Sequence, residues 1–391
     1  MTAKAAASPE PEPVGGRPSA STAAMARSVR ESWALLEPRQ DEIAHFFYGM
    51  LFSLSPETRD MFPINMDVQR SRFMRALVHL VQMIDRPEDY NPFLRQLGRE
   101  HRKFGVISAQ YESFGTALLA SLKRHSGAEW TPTVERAWAE AYTIMARTML
   151  EAAEDDEGPA YWPAEVIEHH QLSWDLALVR VQPDYLVPYR AGQYLSVETP
   201  YAPRLWRHYT PANAPREDGI IEFHVRGVPG GWVSRAIVAH TTVGDTWRLG
   251  PPQGRLAVDR DSDRDVLMVA GGTGVATMRS LVEDLAQWGE NPRVHLFYGG
   301  RGVEDLYALE DLHRIAGTNP WLTVVPVLEQ NPGARNAEHG TLADVVTKYG
   351  AWADRDVLVS GSPAMIRSTV SRMLVAGTPL DRISYDPFTI D

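Results

Sequence analysis

Four histidines fall in the first third of the chain, at positions 45, 79, 101 and 125, and one has the surroundings a metal ligand needs. His101 shares a helical face with Leu94 and Leu97, and its helix ends near Gly105. An apolar face ending in a neutral imidazole can pack a flat porphyrin and offer one ring nitrogen to its iron. A second candidate lies far downstream. Val269-Ala270-Gly271-Gly272-Thr273-Gly274-Val275-Ala276-Thr277 runs from an apolar strand through a glycine loop into a helix. Backbone N–H groups at such a helix start attract phosphate, and glycines let the phosphate come close. The dinucleotide fingerprint G-x-G-x-x-G is not completed, because its last place is Thr277.

Composition narrows the chemistry. The chain has 391 residues, 44% hydrophobic and 23% charged, enough for two or three ordinary globular domains. There is no cysteine, which removes disulfides, iron–sulfur clusters, thiolate-ligated haem and zinc–thiolate sites together. The twelve histidines are then the remaining candidate ligands for iron. A net charge of -11 argues against nucleic acid and against an anionic membrane surface. No apolar run approaches the roughly 20 residues that span a bilayer. The first 25 residues, rich in Ala, Pro, Ser and Gly, lack the apolar core of a signal peptide. The expectation is a cytoplasmic protein with a disordered tail over residues 1–27.

These residues need elements to position them, and the pattern changes twice along the chain. From Ser28 to Ala153 it is helical: Trp33, Leu36, Ile43, Phe46, Phe47, Met50 and Leu51 recur at spacings near three and four. Pro87 and Pro92 read as breaks before a short helix that ends in His101. Glu154 to Pro159 is an acidic boundary. Short period-two segments follow: 164–168, 176–181, 194–197, 220–225 and 245–249. They read as an antiparallel β-barrel over residues 160–258. From Asp265 short apolar strands alternate with helical segments, an α/β domain with a parallel sheet over residues 264–391.

The helical part resembles a globin, and more closely the globin domain of bacterial flavohaemoglobins. The matching stretches are His45-Phe46-Phe47-Tyr48-Gly49-Met50-Leu51-Phe52, Pro56, Met61-Phe62, Gln69-Arg70, His101, Tyr111 and Ala137-Trp138-Ala139-Glu140-Ala141-Tyr142. The resemblance implies haem b with His101 as proximal iron ligand and Phe62 wedged against the haem. It implies Tyr48 and Gln69 as distal donors to bound dioxygen and Phe73 as pocket lining. The stretch between Phe62 and Gln69 is shorter than the family usually has. The family also pairs a tyrosine with a glutamate beside the proximal histidine. Tyr111 fits the tyrosine, but counting from Tyr142 puts Ala153 in the glutamate's place, with Glu151 and Glu154 nearby.

The rest resembles the ferredoxin-NADP reductase-like module of the same family. Arg207-His208-Tyr209-Thr210 matches the flavin cradle Arg-x-Tyr-Ser/Thr, and Arg190-Ala191-Gly192-Gln193-Tyr194 matches the segment leading into it. The resemblance implies FAD held by Tyr194, Arg207, Tyr209 and Thr210. Backbone donors would come from His224 and Val225, and a phosphate loop from Gly231, Val233 and Ser234. Gly250-Pro251-Pro252 with Gly254 resembles the turn that closes the barrel. Gly271, Gly272, Thr273 and Gly274 match A-G-G-x-G-x-x-P with threonine for proline. Phe297-Tyr298-Gly299-Gly300-Arg301 and Asp305-Leu306-Tyr307 match a second nucleotide loop. Ser360-Gly361-Ser362-Pro363-Ala364-Met365 resembles C-G-P-x-x-M with serine for cysteine and one residue altered before the proline. Phe388 would cover the flavin face.

The function implied is electron passage from NAD(P)H through FAD to haem, with nitric oxide dioxygenation to nitrate. NADH is expected, with Arg301 leaving NADPH open. The expected partners are O2, NO and NAD(P)H, on a monomer. Three other readings remain open at this point. They are a flavin dehydrogenase of a small 2-hydroxy acid that feeds haem, a haem-based oxygen or redox sensor, and a plain reductase whose helical part binds no haem.

Overall fold

The computed structural model describes residues 20–330 and 336–386, so Phe388 lies outside the described residues. The chain divides into two compact units, Met1–Glu157 and Gly158–Asp391.

The first unit is helical: α1 (Ala20–Leu36), α2 (Gln40–Leu54), α3 (Asp67–Met83), α4 (Pro87–His101), α5 (Ser108–Ser126) and α6 (Pro132–Glu154). Helix α1 starts eight residues before the expected Ser28. Met25 and Ala26 are buried and extend the buried stripe of Val29, Trp33 and Leu36 backwards by a turn. The Ala-rich run before them favours helix once it has a core to lie on. Pro92 does not break α4, which starts at Pro87 and contains it. One ladder bond is lost there. The helix continues because Tyr90, Leu94 and Gly98 bury one face.

The second unit holds two six-stranded sheets. The first is antiparallel: β1 (Trp162–Ser173), β2 (Leu176–Pro183), β3 (Leu195–Glu198), β4 (Arg207–Tyr209), β5 (Ile221–Arg226), then helix α7 (Trp232–His240) and β6 (Thr246–Leu249). Their order is β4-β3-β6-β1-β2-β5. A bridge between Pro211 and Phe223 brings the two edges together into a near-closed barrel. Strand β1 runs five residues past the expected Glu168, paired to β2 through His169, His170 and Gln171. That end is largely exposed on both faces, so no alternation announces it.

The second sheet is parallel: β7 (Val266–Gly271), α8 (Val275–Leu285), β8 (Val294–Gly300), α9 (Leu309–Thr318), β9 (Leu322–Leu328), β10 (Glu338–His339), α10 (Leu342–Lys348), β11 (Asp356–Ser360), α11 (Pro363–Ala376) and β12 (Ile383–Ser384). The order is β10-β9-β8-β7-β11-β12. The chain leaves β7 towards β8 and later returns to β11 on its other side. In open α/β sheets the crevice at the carboxyl ends of such a pair takes the ligand. The barrel and this sheet belong to one compact unit.

Candidate functional site

Helix α4 can lie close on α6 because Gly98 has no side chain. A Cβ there would sit 2.2 Å from the Met149 carbonyl oxygen. His101 ends α4 and donates from Nδ1 to the Leu97 carbonyl at 2.7 Å. A carbonyl only accepts, so Nδ1 carries the proton and Nε2 keeps its lone pair. Burial lowers the His101 pKa, and the nearby Lys103 charge adds to this against the Leu97 bond. The ring is therefore neutral at pH 7, the form a metal needs. Leu94, Leu97, Tyr111, Met145 and Met149 pack in one apolar cluster beside α4.

Tyr48, Phe62, Gln69 and Phe73 are brought together, short connection notwithstanding. The Tyr48 ring lies 5.4 Å from Phe62 and 5.9 Å from Phe73. Gln69 Nε2 donates to the Tyr48 hydroxyl at 3.4 Å. A hydroxyl that accepts this bond keeps its own proton to donate. An imidazole lone pair, a hydroxyl donor and the partly covered rings of Phe62 and Phe73 fit a haem and a small ligand on it.

The expected carboxylate beside Tyr111 is absent among the described residues. The Tyr111 hydroxyl is buried without a partner, and burial pushes its pKa up to about 12. Glu151 is exposed and pairs with Arg147 at 3.5 Å. Glu154 is also exposed. At 3.6 residues per turn, the buried face of α6 through Met149 and Ala152 turns both carboxylates outward. Tyr142 reaches Tyr111 another way, donating to its main-chain carbonyl at 2.5 Å.

In the second unit Arg207 and Tyr209 sit on β4 opposite Val197 and Leu195 of β3. Tyr209 is partly buried, which raises its pKa. Thr210 follows directly, and the Tyr194 ring is 4.8 Å from His208. The loop before α7 opens at Gly230, whose φ is +75° and where a Cβ would meet nothing within 4 Å. Open space at a helix start built on glycines fits a phosphate. Val233 is buried in the barrel core, so only its main chain can serve that loop. Ser234 donates to the Gly231 carbonyl at 3.2 Å and accepts from Val228 N–H at 3.3 Å. Val225 is fully buried in the barrel core.

His224 points elsewhere than the loop. Glu222 presents only acceptors, so His224 Nε2–H donates to its Oε1 at 2.9 Å, and Tyr307 O–H donates to Nδ1 at 2.9 Å. Burial and the Arg279 charge keep this imidazole neutral against the pull of Glu222. Burial pushes the Glu222 carboxyl up, but the His224 bond, the Arg279 charge and the Arg180 bond hold it well below the usual range. The signal for this cluster was present as Glu222, His224 and Arg226 alternating with apolar residues in one strand.

At the crevice between β7 and β11, Gly274 fits closely: a Cβ there would lie 2.3 Å from the Ser360 carbonyl oxygen. Gly272 has φ +54° and open space where a side chain would be. With Gly271 and Thr273 these positions make a bare loop at the start of α8, which fits a dinucleotide phosphate. Arg301 is exposed, its N–H donating to Asp305 Oδ2 at 3.0 Å.

Comparisons with known proteins agree with this division. A globin model matches residues 45–149, an oxidoreductase FAD-binding domain 163–258 and an oxidoreductase NAD-binding domain 268–371. The flavohemoprotein of Chromobacterium violaceum is 25% identical over 402 residues, covering 92% of this chain and 96% of its own. That of Bacillus subtilis is 22% identical, covering 92% and 95%. A flavohemoglobin of Malassezia yamatoensis, solved with FAD and heme, shares the fold with a TM-score of 0.77 at 18% identity, covering 93% of this chain and 98% of its own. The phenol hydroxylase P5 protein of Acinetobacter pittii is 28% identical, over 58% of this chain and 67% of its own length.

The fold and its sites define a globin joined to an oxidoreductase module that binds FAD and NAD. The chain has the architecture of the flavohaemoglobins over nearly its whole length. No helix among the described residues is long and apolar enough to cross a membrane.

Proposed function

We propose that the protein is a nitric oxide dioxygenase that joins NO and O2 to nitrate at the expense of NADH. When bound, the cofactors would supply the chemistry, FAD as the hydride acceptor and haem as the iron site. The chain's residues supply position and polarity. His101 offers its Nε2 lone pair to the iron while the Leu97 carbonyl fixes the ring's tautomer. Tyr48, accepting from Gln69, keeps its own O–H free to donate to such a ligand, and a donor fixed in a dry pocket stabilises developing negative charge. That Tyr48–Gln69 pair is the observation carrying this reading. Arg207, Tyr209 and Thr210 with Tyr194 hold FAD. The loops at 231–234 and 271–274, with the main chain at 224–225, take the phosphates, and Arg301 meets the NADH end.

The test is NO consumption in air with NADH, comparing wild type with His101→Ala. Equal rates in the two proteins would refute the haem mechanism. The unpartnered Tyr111 hydroxyl favours a second reading, a haem that binds oxygen without activating it, as in a sensor. Wild type that binds O2 reversibly yet consumes no NO would support that reading instead. A cytoplasmic, monomeric protein completes the proposal.

A further inference from the structure

Strand β5 is unusual for a barrel strand. Ile221, Phe223 and Val225 fill the barrel core, as period two requires. The outward face carries Glu222, His224 and Arg226, of which Glu222 is only 5% and His224 only 6% exposed. Ionisable groups are buried on the outside of a barrel only where something covers them with matched partners.

The partners come from the second sheet. Arg279, in the second turn of α8, bonds Glu222 through Nη1 and Glu283 through Nη2 at 3.0 Å. Glu283 in turn accepts from Ala214 N–H of the barrel at 3.2 Å. Tyr307 donates to His224. Arg226 Nη2 meets Asp305 Oδ1 at 3.0 Å while Nη1 meets Asp175 at 3.1 Å. All three contacts land on the elements that border the dinucleotide crevice. Helix α8 begins directly after the glycine loop; Asp305 and Tyr307 follow the loop at Gly299 to Arg301, and Asp305 ties it down by accepting from Arg301 N–H.

We propose that Glu222, His224 and Arg226 form a three-point clasp that sets the nicotinamide-binding sheet at one angle to the flavin-binding barrel and so fixes the hydride-transfer distance. Three directional contacts two residues apart span about 13 Å of strand, long enough to fix an orientation and not merely a distance. Ion pairs buried this way add little net stability over an apolar isostere, whereas their geometry is exacting. Hydride donor and acceptor must approach within about 3–3.5 Å, and a displacement of about 1 Å costs on the order of 100-fold in rate. These are positioning residues: their side chains are engaged with Arg279, Tyr307 and Asp305. The inference rests on the reading that NADH reduces FAD in this chain.

The experiment is anaerobic stopped-flow reduction of the flavin by NADH in the full-length holoprotein, with wild type, Arg279→Met, Arg279→Lys and Tyr307→Phe. In Arg279→Met the limiting reduction rate is expected to fall on the order of 10- to 100-fold. The NADH concentration for half-maximal rate should change less than about 3-fold. A larger isotope effect with deuterated NADH is expected alongside. Arg279→Lys should recover part of the rate. Tyr307→Phe, which removes one hydroxyl and keeps the ring, should show a smaller fall of the same kind even if Arg279→Met fails to fold. An unchanged limiting rate in Tyr307→Phe and in folded Arg279 variants overturns the clasp alone. A loss confined to NADH affinity also overturns it. Wild-type flavin that NADH does not reduce overturns the functional reading and the clasp with it.

Discussion

Ser360 donates to the hydroxyl of Thr277 at 3.1 Å, across 83 residues of sequence and with both side chains buried. These are two of the positions where the nucleotide loops depart from the family pattern, proline to threonine and cysteine to serine. The structure makes them one feature, since each departure supplies the other's hydrogen-bond partner. Thr277→Val should leave the Ser360 hydroxyl unpaired and cost about 1–3 kcal/mol. The double variant Thr277→Val/Ser360→Ala should lose less than the sum of the two single changes. Calorimetric melting of all four proteins measures the coupling. Strictly additive losses would show that the pair does not interact.

Gly274 is where the crevice tolerates no side chain, because a Cβ would sit 2.3 Å from the Ser360 carbonyl oxygen. Gly274→Ala must push the loop off β11. The expected result is a fall of on the order of 100-fold in flavin reduction by NADH, with the haem and flavin spectra unchanged. A variant reduced at the wild-type rate would show that the loop does not position the nicotinamide.

Tyr111 gives a prediction opposite in sign to the role the resemblance implies. Its hydroxyl is buried and unpartnered. Tyr111→Phe should therefore melt at the same temperature as wild type or higher, since it removes a polar group that was dehydrated without compensation. A loss of more than about 1 kcal/mol would reveal a partner for the hydroxyl.

The β5 cluster gives the second unit a pH dependence of definite sign. Burial lowers the His224 pKa below its ordinary value, with Arg279 assisting and Glu222 and Asp311 opposing. The unfolded chain then binds more protons than the native one below about pH 6.5, so stability is full above that pH and falls as pH drops through it. Glu222, with its pKa depressed by His224, Arg279 and Arg180 despite burial, adds a further loss below about pH 4.5. Glu283 faces the same guanidinium, and burial holds its carboxyl above the usual range. Melting followed by flavin fluorescence between pH 8 and pH 5 should show a falling midpoint on the acid side. A midpoint that rises as the pH falls would contradict the assigned neutral state of His224.

The three-part architecture was legible because each part has its own period. Helical spacing, two-residue alternation and short apolar strands between helices cannot be confused over such lengths. The missed first turns of α1 had a tail-like composition, and only the core against which Met25 and Ala26 pack distinguishes helix from tail there. Pro92 looked like a break because local propensity disfavours it inside a helix, and burial of Leu94 and Gly98 outweighed that.

The residue types that could bind iron, flavin phosphates and a dinucleotide, and their order along the chain, are properties of the sequence. They depend on local chemistry: an imidazole on an apolar face, or a glycine loop between strand and helix. Partnership between distant residues is decided only by the tertiary structure. It turned Glu151 and Glu154 away from Tyr111, joined Ser360 to Thr277, and set the outward face of β5 against α8 and Tyr307. A hydrogen bond needs its two atoms within about 3 Å and correctly aimed. No pattern in one dimension supplies that across scores of residues.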